Sequence, residues 1–211
     1  QHVEGPVGIA ADFSGTVQSP DLRGVVRASN LTYENETFGT RLSKMSIDGR
    51  FTDDQLVIND ISAVAGDGTL KARGTIGLSS SQGFPMDVTA DFNNARLARS
   101  EALGATATGQ IRVIRDSQGN RIQGRLDIPE ARYEIVLQGA ADVPVLTGVR
   151  RKTDVFETPE QRAEAEKMGL WNLDLRVSAD NQLFVSGMGL ESEWRATMFV
   201  RGTSAAPRIT G

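Results

Sequence analysis

Leu70-Lys71-Ala72-Arg73-Gly74-Thr75-Ile76-Gly77-Leu78 puts Leu70, Ala72, Gly74, Ile76 and Leu78 at every second position, with Lys71, Arg73 and Thr75 between them. A period of two is the strand period, because successive side chains of a strand point to opposite faces. The segment is therefore a β-strand with one dry and one wet face. The alternation continues in both directions. Upstream, Met45, Ile47, Gly49 and Phe51 alternate with Ser46, Asp48 and Arg50, while Val7, Ile9, Ala11, Phe13 and Val17 share a face. After Leu56 and Ile58 the apolar positions change parity to Ile61, Ala63 and Ala65, which predicts a bulge or short turn at Asn59-Asp60. Downstream come Met86, Val88, Ala90 and Phe92. Gly109, Ile111 and Val113 then lead through Asp116-Ser117-Gln118-Gly119-Asn120 to Ile122, Gly124, Leu126 and Ile128, a hairpin pattern. Ala131 to Leu137 reads as a further strand, Trp171 to Val177 as another, Ser178-Ala179-Asp180-Asn181 as a turn, and the runs from Leu183 and Trp194 as two more. The pattern predicts about twelve strands in one all-β domain over residues 1–211.

Alternation stops between Ala140 and Met168. There Thr158, Pro159 and Gln161 read as an N-cap, a first-turn proline and a capping box, with Gly169 as a stop, predicting a helix at 159–168 inside an irregular insertion at 140–170. Its sequence has no apolar stripe, so it belongs on the surface.

Composition narrows function by exclusion. The 211 residues carry Lys+Arg 23 against Asp+Glu 27, a net charge of −4 without a basic stripe, which argues against nucleic acid as a partner. No cysteine is present, so there is no disulfide, thiol nucleophile or Cys-type zinc site, and the single histidine, His2, stands near the start of the chain. Gly66-Asp67-Gly68 and Gly187-Met188-Gly189 lack the third glycine of a dinucleotide fingerprint. Asp53-Asp54 and Asp116 lie in turn sequences, where aspartate is favoured for backbone hydrogen bonding rather than calcium. The expectation is no catalytic residue, no metal and no cofactor.

One frame recurs. Gly15-Thr16 to Gly24 and Gly202-Thr203 to Gly211 both read G-T-x-x-x-P-x-[LI]-x-G, a strand end, a proline-directed turn and re-entry into a strand. The repeat leads us to expect a fragment of a longer repetitive β protein.

The remaining resource is the apolar face itself. Parity assigns to it Ile9, Phe13, Val26, Met45, Ile47, Phe51, Leu70, Ile76, Val88, Phe92, Ile111, Leu126, Tyr133, Ile135, Leu173, Leu175, Val185, Met198 and Val200. Alternation is equally compatible with a closed β-sandwich, used as an adhesin or carbohydrate-binding module, and with one curved sheet whose face lines a groove. In the second case an aliphatic face suits acyl chains, since shielding a ~16-carbon chain is worth roughly 12 kcal/mol at about 0.8 kcal/mol per methylene.

The C-terminal stretch carries a resemblance. Trp171-Asn172-Leu173-Asp174-Leu175-Arg176-Val177 is followed by Leu183-Phe184-Val185-Ser186-Gly187-Met188-Gly189-Leu190-Glu191-Ser192-Glu193-Trp194, then Phe199-Val200-Arg201-Gly202-Thr203 and Pro207-Arg208-Ile209-Thr210-Gly211. In this order, V-x-G-x-G-L, V-x-G-T and P-x-[LI]-x-G resemble the TamB C-terminal domain family, of the AsmA-like superfamily. The resemblance implies a curved antiparallel or mixed sheet forming a β-taco half-pipe. It implies a periplasmic protein anchored in the inner membrane by an N-terminal helix that this sequence lacks, and an Omp85-class, TamA-like barrel as partner. It also implies a non-enzymatic role in the translocation and assembly module, with phospholipid acyl chains or unfolded outer-membrane β-strands as cargo.

Overall fold

The computed structural model describes residues 2–15, 20–36, 38–79, 83–100, 103–135 and 170–211. Within them the chain forms β1 (His2–Glu4), β2 (Val7–Gly15), β3 (Pro20–Asn35), β4 (Thr40–Asp53), β5 (Gln55–Ala65), β6 (Gly68–Gly77), β7 (Met86–Arg99), β8 (Leu103–Asp116), β9 (Gly119–Glu134), β10 (Asn172–Gly187), β11 (Leu190–Thr203) and β12 (Ala206–Thr210). All twelve belong to one sheet in the order β1-β3-β4-β5-β6-β7-β8-β9-β10-β11-β12, with β2 also paired to β3. Every pairing is antiparallel except β9–β10, which is parallel. The expected helix at 159–168 and nearly all of the expected insertion at 140–170 lie outside the described residues.

The strands form where alternation predicts them, and the turns use the expected chemistry. The Asp116 carboxylate accepts the N–H of Gln118 at 2.8 Å, an Asx-type turn that closes the β8–β9 hairpin. Register shifts between Ile58 and Ile61 mark the bulge at Asn59-Asp60. Two expectations need correction. Ser178–Asn181 does not turn the chain: β10 runs unbroken through it, with a register shift between Ala179 and Leu183. Likewise Ile122–Ile128 and Ala131–Glu134 are one strand, β9. In β9 one extra residue resets the side-chain parity, and in β10 two extra residues opposite β11 leave it unchanged; neither reverses the chain, so a bulge imitates a turn in sequence. The expected total of strands is met because β1, which was not foreseen, and β12, the re-entry strand of the second repeat frame, make up for the two lost by merging.

The same shifts bend the sheet. They fall beside Leu31 and Met45 in β3 and β4, after Phe92 in β7, between Thr106 and Thr108 where β8 meets β9, and after Ala179 in β10. Asn30, Lys44 and Asn94 take left-handed φ values of 57°, 50° and 49° at three of these points. Beyond this line the strands roll onto the apolar face, and β7 reaches β4, three strands away in the order. Thr40 Oγ1 donates to the Leu97 carbonyl at 2.6 Å and the Arg99 N–H to the Phe38 carbonyl at 2.9 Å. The buried residues on the rim side of the bulges are mostly small, Ala63, Ala65, Ala95, Ala98, Ala107, Ala131 and Ala179, with Leu31 as the large one. Alanine is what permits so tight a roll, because backbones approach until only a methyl fits between them.

The repeated frame is a hairpin at each end of the sheet. Gly15 faces Pro20 and Phe13 faces Leu22, as Gly202 faces Pro207 and Val200 faces Ile209. The closing glycine of each copy lies against a neighbouring carbonyl: a Cβ on Gly24 would come 2.1 Å from the Ala10 oxygen, and one on Gly211 2.3 Å from the Thr197 oxygen.

An open apolar groove as the candidate functional site

Cross-strand register turns the separate alternations into continuous rows. One row passes through Val7, Ala28, Ile47, Ile61, Ala72, Ala90, Ile111, Gly124, Leu175, Val200 and Ile209, from β2 to β12 without a polar residue. Beside it runs Ile9, Val26, Gly49, Ile58, Gly74, Val88, Val113, Ile122, Leu173, Gly202 and Pro207. At the usual spacing of about 4.8 Å per strand, each row extends roughly 48 Å. Towards the rolled rim a third row carries Ala63, Leu70, Phe92, Gly109, Leu126, Val177 and Met198.

These rows collect most of the residues assigned to the face by parity. Ile47, Ile111, Leu175 and Val200 fall in the first row, Ile9, Val26, Val88 and Leu173 in the second, and Leu70, Phe92, Leu126 and Met198 in the third. Phe51 and Ile76 share a fourth row on the opposite flank, through Leu56 and Met86. Met45 faces Leu31, and Tyr133 faces both Leu103 and Val185. Phe13 is in register with Leu22. Ile135 lies just past β9, its N–H donating to the Ser186 carbonyl at 2.7 Å. Val7, Ile58, Ile61, Val113, Ile122, Val177 and Ile209 complete the rows and were missing from the assignment, although each keeps its strand's alternation.

No second layer covers this face among the described residues. Among the described residues the buried large apolar side chains are Leu22, Leu31, Ile58 and Leu126, the other buried apolar residues being alanines, and Val7, Ile9, Trp194 and Ile209 are more than half exposed. A sandwich would bury the large residues of the central strands as well. The closed-sandwich alternative is therefore set aside: a single sheet, rolled at one rim, leaves its apolar face open as a half-pipe.

The opposite face is polar and laced with ion pairs. Arg112 pairs with Asp87, and Arg121 with Asp116 at 2.5 Å. The hydrogen bond from Arg112 holds the Asp87 carboxyl below the usual carboxylate range, and that from Arg121, helped by the N–H of Gln118, does the same for Asp116. Elsewhere opposite charges face each other across strands, as Arg23 pairs with Asp53 at 3.2 Å and Arg201 with Asp174 at 3.6 Å. The parallel junction is different: Arg125 stands directly opposite Arg176. The Arg176 guanidinium lies 5.8 Å from the centre of the Phe199 ring. No group of His, Asp and Glu able to hold a metal occurs among the described residues.

The family model described as TamB C-terminal domain matches residues 59–211, more than two thirds of the sequence. None of the curated proteins and none of the solved structures compared matches it.

Proposed function

Because the chain belongs to the TamB C-terminal domain family, and so to the translocation and assembly module, we propose that it is a non-enzymatic lipid conduit of the periplasm. In this reading its groove shields phospholipid acyl chains on their way between the inner and outer membranes. The parent protein is held in the inner membrane and hands on to an Omp85-class, TamA-like barrel. The observation that carries the proposal is the pair of unbroken apolar rows crossing eleven strands on an uncovered face. Such a surface replaces water around a hydrocarbon wherever it lies along the groove. A cargo can slide from strand to strand without breaking a specific contact, because each step exchanges equivalent burial.

A second reading has its own observation. β12 pairs only with Phe199–Thr203, so the outer edge of β11 from Leu190 to Met198 has no strand partner among the described residues. An open edge of this length offers backbone donors and acceptors to an incoming strand, which fits an unfolded outer-membrane β-strand as client. Native mass spectrometry after incubation with phospholipid vesicles tests both. Retained phospholipid, stripped by mild detergent, supports the conduit. A lipid-free mass that shifts instead with an unfolded outer-membrane β-strand peptide overturns it in favour of the client reading.

A further inference from the structure

Along the fourth row, Ala11, Gly24, Phe51, Leu56, Ile76 and Met86 are followed on β8 by Arg115 and on β9 by Asn120. Arg115 is in phase with Ile111 and Val113 and is the one cation in the four registered rows. Its surroundings fix it in place. Nε donates to Asn120 Oδ1 at 2.9 Å and Nη1 to the Gly83 carbonyl at 3.3 Å. The guanidinium lies 5.1 Å from the centre of the Trp171 ring. Asn120 is buried and is itself oriented by its Nδ2, which donates to the Leu170 carbonyl at 2.9 Å. Trp171 is tied to the β11–β12 turn, its carbonyl accepting the Ser204 N–H at 2.8 Å.

All of these partners are neutral. No carboxylate among the described residues lies within ion-pair distance of Arg115, whereas Arg23, Arg27, Arg41, Arg96, Arg112, Arg121 and Arg201 each have one. A guanidinium has five N–H donors in a planar fork, and among the described residues two are engaged here. A partly buried cation beside hydrocarbon, pre-oriented and without a counter-charge among the described residues, is complementary to an oxyanion, and phosphate matches the fork bidentately.

We infer that Arg115 is the headgroup subsite of the groove: it pairs with the phosphate of an acyl lipid whose chains lie along the apolar rows. The inference rests on the conduit reading, because it needs chains in the groove, and it adds that the groove distinguishes amphiphiles by charge. The site sits on the flank opposite the rolled rim, between the β6–β7 connection and the start of β10, where a headgroup keeps contact with water while its chains do not.

The test incubates the whole 211-residue chain with vesicles holding equal amounts of dioleoylphosphatidic acid and dioleoylglycerol, which share their chains and differ in the phosphate. The protein is re-isolated and its lipid quantified by mass spectrometry. The wild type should favour phosphatidic acid by about tenfold or more, the usual worth of a charge-assisted hydrogen bond. Arg115→Gln should bind as much total lipid with the preference gone. Arg115→Lys, which keeps the charge and loses the fork, should keep part of it and serves alone if the glutamine variant does not fold. Lipid bound by the wild type without preference, or a preference unchanged in Arg115→Gln, overturns the Arg115 inference and leaves the conduit standing. No lipid bound by any form overturns the conduit itself. Inorganic phosphate that raises the Tm of the wild type and not of Arg115→Gln, with no phosphatidic acid preference, assigns the site to free phosphate and also overturns the inference.

Discussion

Replacing Leu175 by Arg separates an open face from a closed core. Leu175 lies in the first row between Gly124 and Val200 and keeps intermediate exposure. An arginine there can lay its methylenes along the row and carry the guanidinium into water over the open face. The cost is then the lost leucine packing and a poorer β-former, about 1 kcal/mol. For a chain of this size that is a fall in Tm of roughly 2–4 °C. The contrasting variant is Ala95→Arg, in the rolled rim, where the parent side chain is 0% exposed. Any side chain longer than a methyl collides there, and an unpaired charge in a packed interior adds several kcal/mol, so a loss of at least about 4 kcal/mol is expected. Circular-dichroism melts of both variants and phospholipid retention by Leu175→Arg form the assay. The expected result is a folded Leu175→Arg that has lost lipid and an Ala95→Arg that does not fold. If Leu175→Arg unfolds as Ala95→Arg does, the face is a covered core and the groove argument fails.

Three further outcomes follow from the same geometry. Gly124→Ala places a Cβ 2.2 Å from the Gln110 carbonyl, a backbone atom that cannot swing aside, so it should cost about 1–3 kcal/mol by denaturant titration, and an unchanged midpoint would contradict that approach. Arg125→Gln removes one of two like charges standing opposite each other and should raise stability by about 0.2–1 kcal/mol, an effect that shrinks with added salt. Asp87 and Asp116 have depressed pKa values in the folded chain, so the unfolded chain binds protons first on acidification. Their contribution is complete above about pH 4 and is lost as the pH falls through the lower folded values. Melts should hold steady from pH 7 to 5 and decline below about 4, with a shallower decline in Arg112→Gln. A Tm that rises below pH 4 would refute the assignment.

The face of each strand was legible in the sequence because period two needs no partner: Ile47, Ile111 and Leu175 are each apolar between polar neighbours. That they form one row was not legible, since it depends on register, which is set between strands and not within them. One layer or two was likewise hidden, because both architectures impose the same alternation. Bulges defeated the reading where their residues resemble turn residues, as Ser178, Asp180 and Asn181 do. At Asn59-Asp60 the parity change gave the bulge away. Arg115 was missed as a site although the signal was present: it occupies an apolar phase one residue from the end of a strand whose preceding odd positions, Gly109, Ile111 and Val113, are all non-polar. A charge in the apolar phase of an otherwise clean alternation is the feature to search for.

The rolled rim explains how a sheet can leave this much apolar surface uncovered and still hold its shape. Closure needs backbones close together, and the alanine seam supplies that without large side chains. The bulge line and the left-handed Asn30, Lys44 and Asn94 direct the strands into it. Beyond the bulges few large side chains are buried, Leu22, Ile58 and Leu126, so the half-exposed Ile, Leu and Val there are available to a cargo. Stability and cargo binding thus draw on different residues of the same strands. Ala65 and Ala95 hold the roll, whereas Ile61 on β5 and Ala90 on β7, on the other side of the bulge line, hold none of it. Substitutions among the rim alanines should therefore change melting before lipid retention, and substitutions of half-exposed large residues of the first row, such as Ile47, Ile111 and Leu175, should do the reverse. The polar face contributes ion pairs exposed to solvent, each worth little alone. The roll, and not those pairs, sets the curvature that makes the apolar face a groove.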